Sequence, residues 1–171
     1  MLALTPEHIA EMKAHAERSY PEECCGLMLG QLELGQNSAS QKQLVELVAL
    51  DNSWDPEVAE NLLTEEATDV QSKRRRYWID PRELLRVQRE ARNRSLSIIG
   101  VYHSHPDAAA VPSECDRALA WAEYSYSIVS VRHGRAADLQ NWALDAAHQF
   151  QPEPMWISNA IAATDRMPVS T

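Results

Sequence analysis

Two histidines, a serine and an aspartate lie close together in HSHPDAAAVPSECD, running from His103 to Asp116. Imidazole nitrogens and carboxylates bind zinc, and side chains at i and i+2 of a strand project from the same face. His103 and His105 would point together, Pro106 would stop the strand, and DAAAVP would turn the chain back. Asp116 would then sit in the first turn of a helix begun at Ser113 and could supply a third ligand. Three protein ligands leave a fourth tetrahedral position for water, the pattern of a catalytic zinc rather than a closed structural one. The same residues also have an ordinary reading, as a histidine pair packed on a strand followed by a serine and aspartate that cap the next helix. Neither H-E-x-x-H nor H-x-E with P-C-x-x-C occurs.

The elements that must position these residues can be read from spacing. Thr5 caps a first helix, Pro6 suits its first position, and Ile9, Met12 and Ala16 share a face. CCGLMLGQLEL and QLVELVAL read as strands around the polar turn GQNSASQK, and RYWID reads as a short strand. DNSWDPEVAENLLTEEATDVQSKRRR reads as a loop enclosing a short helix. DPRELLRVQREARN is the clearest helix, with Asp80 as cap, Pro81 next, Glu83 three residues on, and Leu84, Leu85 and Val87 expected to be buried. LSIIGVYHSH is strand-like. YSYSIVSV and ADLQNWALD form two further strands around a His-Gly turn. Strands interleaved with helices imply an α/β or α+β fold on a central sheet.

A chain of 171 residues, 44% hydrophobic and 24% charged, suits one globular domain. No apolar run approaches a membrane span, and the N-terminus lacks a secretory pattern, so the expected compartment is the cytoplasm. Three cysteines without framework spacing argue against a disulfide scaffold; Cys24 and Cys25 read as small buried hydrophobes, and Cys115 as a packing residue. The net charge of −9 disfavours a nucleic-acid binder. Yet Lys73 to Arg94 holds nine basic residues against three acids, read as a solvated helix face or as a docking surface for an acidic partner. Trp121 is expected in the core, and Ser104 on the face opposite the histidines.

HSHPDAAAVPSECD resembles the signature of the JAMM (MPN-plus) metalloproteases: H-x-H-P, with seven residues after the second histidine before S-x-x-D. PEECCGLMLG resembles the family's upstream element, a glutamate shortly before Cys-Gly, which picks out Glu23 with Glu22 as second choice. The resemblance spans roughly residues 5 to 145. It implies an MPN/JAB fold, a mixed central sheet with flanking helices close to that of cytidine deaminases, over residues 1–149, with 150–171 as a loosely packed or docked tail. It further implies one zinc ion per chain held by His103, His105 and Asp116. Glu23 would take a proton from the metal-activated water and deliver it to the leaving amine, and Ser113 would help hold the oxyanion. The compact form is similar to bacterial enzymes that cut after the C-terminal Gly-Gly of ubiquitin-like sulfur-carrier proteins, which makes such a carrier the expected partner, with no nucleic acid and no membrane. Two alternatives stay open, a non-catalytic MPN scaffold and a RadC-like protein associated with DNA repair. The oligomeric state, monomer or homodimer, is left open as well.

Overall fold

The computed structural model describes residues 1–34, 40–55 and 72–158. The elements in chain order are β1 (Leu2–Leu4), α1 (Pro6–Ser19), β2 (Cys25–Leu34), β3 (Ser40–Leu50), α2 (Pro81–Asn93), β4 (Ser97–Pro106), α3 (Glu114–Ala118), β5 (Ser125–Arg132), β6 (Arg135–Leu144), β7 (Phe150–Pro152) and β8 (Met155–Ile157). All eight strands form one mixed sheet in the order β7-β6-β5-β4-β2-β3-β1-β8. β4 and β5 run parallel at its centre, and β2 pairs antiparallel with both β3 and β4. The fold is α+β, a mixed sheet with flanking helices, as the sequence implied.

Each face of the sheet carries its own core. Thr5 caps α1: its Oγ1 accepts from His8 N at 3.4 Å, while His8 Nδ1 accepts from Thr5 N at 3.2 Å. Met12 and Ala16 of this helix are buried with Leu2, Leu4, Met28, Leu44 and Tyr102. On the other face Val87 and Ala91 of α2 pack with Leu27, Leu29, Val101 and Tyr126. The β2–β4 register slips by one residue between Met28 and Leu29, so Ile98 and Val101 both reach the α2 face while Ile99 and Tyr102 serve the α1 face. From Val101 onward alternation is regular, and His103 and His105 fall on the α2 face.

Three expectations change. Leu85 is exposed rather than buried, because the helix phase set at Asp80 turns Leu84, Val87 and Ala91 inward. RYWID forms no ladder strand: Trp78 N donates to the Asn52 side chain (3.2 Å) and its carbonyl accepts from Ser53 N (2.9 Å), so its backbone is satisfied by a loop. Trp121 is 50% exposed, set edge-on to Tyr124, rather than in the core. The GQNSASQK turn and the expected helix before Ser72 lie largely outside the described residues. Residues 150–158 join both ends of the sheet, β7 pairing with β6 and β8 running parallel to β1.

Candidate metal centre

β4 delivers His103 and His105 side by side, both buried. After the loop, Ser113 caps α3: its Oγ accepts from Asp116 N at 3.1 Å. Asp116 answers through Oδ2, which accepts from Ser113 N (2.6 Å) and from the Ser113 hydroxyl (2.7 Å). This reciprocal cap fixes the carboxylate, with Oδ1 toward His103 and Oδ2 toward His105. His103 Nε2 lies 3.1 Å from His105 Nε2 and 3.4 Å from Asp116 Oδ1; His105 Nε2 lies 3.5 Å from Asp116 Oδ2. The His105 Nδ1–H donates to the Ala109 carbonyl at 2.9 Å, which assigns the lone pair to Nε2. Tyr77 stacks on His103 with ring centroids 4.5 Å apart and holds that ring by contact.

These donors fit a small cation. Tetrahedral bonds of 2.0–2.1 Å put neighbouring ligand atoms about 3.3 Å apart; the two Nε2 atoms stand 3.1 Å apart, and each has a carboxylate oxygen of Asp116 at 3.4 or 3.5 Å. Two imidazole nitrogens and a carboxylate, buried and converging, are a borderline donor set suited to zinc. The charges agree. Burial alone would raise the Asp116 pKa, but the two histidines outweigh it and hold the carboxyl well below its usual range. Burial lowers His103, whereas His105 is held up because Asp116 overcomes its desolvation.

Glu23 and Glu22 part company. Glu22 is exposed; Glu23 is 5% exposed and lines one cavity with His105 and Ser113. Burial pushes its pKa up to about 8, with the His105 charge pulling against it. Its backbone is fixed at both ends. Glu23 N donates to the Lys73 carbonyl at 2.7 Å, and the Glu23 carbonyl accepts from Asn52 Nδ2 at 3.0 Å. The next residues belong to the same device: Cys24 N donates to Ser104 Oγ (2.8 Å), and Gly26 lies under the Tyr102 ring. Ser104 therefore faces away from the histidines, as expected. Cys24 and Cys25 are buried, and burial pushes the Cys24 thiol up to about 11. Cys115 is half-buried beside an apolar cavity.

The profile of prokaryotic homologs of the JAB domain matches residues 5–145. The chain belongs to the prokaryotic JAB family. The Desampylase of Haloferax volcanii is 38% identical over 55 residues, which are 32% of this chain and 40% of that protein. The match thus spans under half of this curated relative. Two solution structures share the fold nearly end to end. A Desulfitobacterium hafniense protein has a TM-score of 0.71 at 24% identity, covering 95% of this chain and 96% of its own. One from Salinibacter ruber has a TM-score of 0.63 at 28% identity, covering 93% and 92%.

Three features of this JAB-domain protein escaped the sequence reading. Tyr77 came disguised in a strand-like run. Asn52 gave no signal, yet its Nδ2 bridges the Glu23 and Arg76 carbonyls and its Oδ1 accepts from Trp54 N and Trp78 N. The basic block divides: Arg86 and Arg94 pair with acids on the surface, whereas Arg74, Arg75 and Arg76 line the cavity of Glu23.

Proposed function

We propose that the chain is a zinc metallopeptidase that hydrolyses the amide bond after the C-terminal Gly-Gly of a ubiquitin-like sulfur-carrier protein. The observation that carries the reading is a buried carboxylate, Glu23, in one cavity with His105 and Ser113 at the converging His103–His105–Asp116 donors. His103, His105 and Asp116 would hold the ion, whose Lewis acidity activates water near pH 7 and polarises the amide carbonyl.

The protein's own groups do the rest. With its pKa lifted into the range of neutrality, Glu23 can take a proton from the attacking water and return it to the departing nitrogen. The Ser113 hydroxyl, which donates to Asp116, would exchange that bond for one to the developing oxyanion. Losing such a donor typically costs about 2.7–4 kcal/mol of transition-state stabilisation. Tyr77 and Ala109 keep the two rings in place. The Haloferax relative named Desampylase and the match to the JAB profile support amide hydrolysis on a ubiquitin-like partner.

The test is mass spectrometry of sulfur-carrier proteins with short C-terminal extensions, incubated with zinc-loaded protein and with Glu23→Gln. Cleavage after Gly-Gly, lost in the variant while zinc stays bound, is the expected result. Zinc binding with no cleavage of any extension would move the assignment to a scaffold.

A further inference from the structure

Two cavities adjoin the His103–His105–Asp116 group, one at Asp116 and the other at His105, with Arg76 lining both, and their chemistry differs. One, of about 200 Å³, is apolar and is bounded by Asp116, Tyr77, Leu84, Leu119 and Trp121. The other, of about 550 Å³, is bounded by Glu23, His105 and Ser113, together with Arg74, Arg75 and Arg76. Among the described residues, none of these three guanidinium groups is in an ion pair. On α2, Arg86 is paired, with Glu83 and Glu90; what sets Arg74, Arg75 and Arg76 apart is their place in the wall of the Glu23 cavity. The other acid in the larger cavity, Asp107, already accepts from the Tyr20 hydroxyl (2.8 Å) and from His133 N (2.9 Å).

The arginines are held against the site by backbone. Lys73 O accepts from Glu23 N, and Asn52 Nδ2 ties the Arg76 carbonyl (2.9 Å) to that of Glu23. Arg76 Nη1 donates to the Arg75 carbonyl at 2.7 Å, and the Arg74 and Arg75 side chains are exposed. Positive charge gathered in a concave wall beside a buried carboxylate favours an anionic ligand, and guanidinium groups match carboxylate oxygens in shape.

The course of the hydrolysis says which anion. Water's hydroxyl joins the acyl carbon, the C–N bond breaks, and water's proton passes through Glu23 to the departing nitrogen. The departing fragment therefore lies in the cavity that Glu23 bounds. When the bond cut precedes a chain terminus, that fragment is an amino acid or short peptide whose α-carboxylate sits close to the departing nitrogen. When it is a lysine isopeptide, the nitrogen ends a long methylene stem with no carboxylate near it.

We propose that Arg74, Arg75 and Arg76 form a carboxylate-recognition site for the departing fragment. The chain would then trim short C-terminal extensions in preference to lysine isopeptides. This rests on the peptidase reading above and narrows its substrate class.

The test uses three peptides identical through Gly-Gly. One continues with alanine bearing a free carboxylate, one with alanine amide, and one is joined to the Nε of a lysine whose carboxyl is amidated. Cleavage by the zinc-loaded chain is followed by mass spectrometry, and binding to the metal-free chain by fluorescence anisotropy. We expect the free acid to be preferred about tenfold or more, mainly through KM, and to bind more tightly by a similar factor that shrinks with added salt. The triple change Arg74→Gln, Arg75→Gln, Arg76→Gln should bring that preference to within about twofold, and exposed Arg75→Gln alone should reduce it, with circular dichroism checking the fold of each. Equal handling of acid and amide by the unaltered chain overturns the proposal, as does a preference that survives the triple change. If no peptide is cut, the peptidase reading fails, and the anisotropy series still decides the arginine assignment separately.

Discussion

Gly26→Ala isolates one contact behind the candidate metal centre. A methyl placed on Gly26 would lie 2.4, 2.5 and 2.6 Å from Cε1, Cζ and Oη of Tyr102, where ordinary contacts begin near 3.4 Å. The ring has little room to yield, being 1% exposed with its hydroxyl 2.9 Å from His15 Nδ1. Gly26 and Tyr102 are also ladder partners, so relief by backbone movement would carry the adjacent His103 with it. Overpacking of this kind costs about 1–3 kcal/mol. With a urea slope of about 2 kcal/mol per molar, the unfolding midpoint should fall by roughly 0.5–1.5 M. Tyr102→Leu removes the clashing atoms and serves as the partner in a double-mutant cycle. The pair should be less destabilised than the sum of the singles by about 1 kcal/mol or more. Zinc affinity, followed by competition with a chelator, should drop in Gly26→Ala and recover partly in the pair. A Gly26→Ala protein within about 0.5 kcal/mol of the parent, or strictly additive effects, would refute the reasoning.

Glu23 makes the stability of the metal-free protein depend on pH. Its folded pKa, about 8, stands above its ordinary value of 4.5, so the folded state binds the extra proton between those limits. Stability is fully present below about 4.5 and should decline toward pH 8 by up to about 1.4 kcal/mol per pH unit; denaturant titrations across that window should show the slope flattened in Glu23→Gln. Asn52→Ala removes the side chain bridging Glu23, Arg76 and Trp78. Unfolding by urea should report a loss of about 1–3 kcal/mol, and peptide cleavage should fall while zinc content stays at parity. Tyr77→Ala should weaken zinc binding about 10-fold or more by freeing the His103 ring, whereas Tyr77→Phe, which keeps the stack, should bind within about threefold of the parent by calorimetry.

Local signals made much of this structure legible. Thr5-Pro6, Asp80-Pro81 and Ser113 each announce a helix start through side-chain oxygens that bond backbone amides, and all three do so here. Alternation in β4 placed His103 and His105 on one face. What stayed hidden depends on contacts between segments distant in sequence. Tyr77 reaches His103 only because the turn after Ser72 is tied to Glu23 just before β2, and Asn52 acts through loop backbone that no periodicity marks. The exposure of Trp121 follows from the brevity of α3, which leaves the ring beside the apolar cavity. The placing of Arg74, Arg75 and Arg76 in the wall of the Glu23 cavity, apart from the surface pairs of Arg86 and Arg94, was likewise invisible, since composition counts charges without saying what lies across from them.

The capping bonds between Ser113 and Asp116 bear on how a cell would supply the proposed metal. Because the bonds that aim the carboxylate are those that begin α3, folding itself sets the spacing of the donors. Uptake of an ion can then follow folding, unlike in small domains whose ligands are assembled by the metal. Which ion occupies the site becomes a matter of competition among the divalent metals the finished protein meets, governed by their intrinsic affinities and abundance. Protein made in cells starved of zinc should fold normally, carry whatever competing metal is in supply, and exchange it for zinc afterwards without passing through an unfolded state.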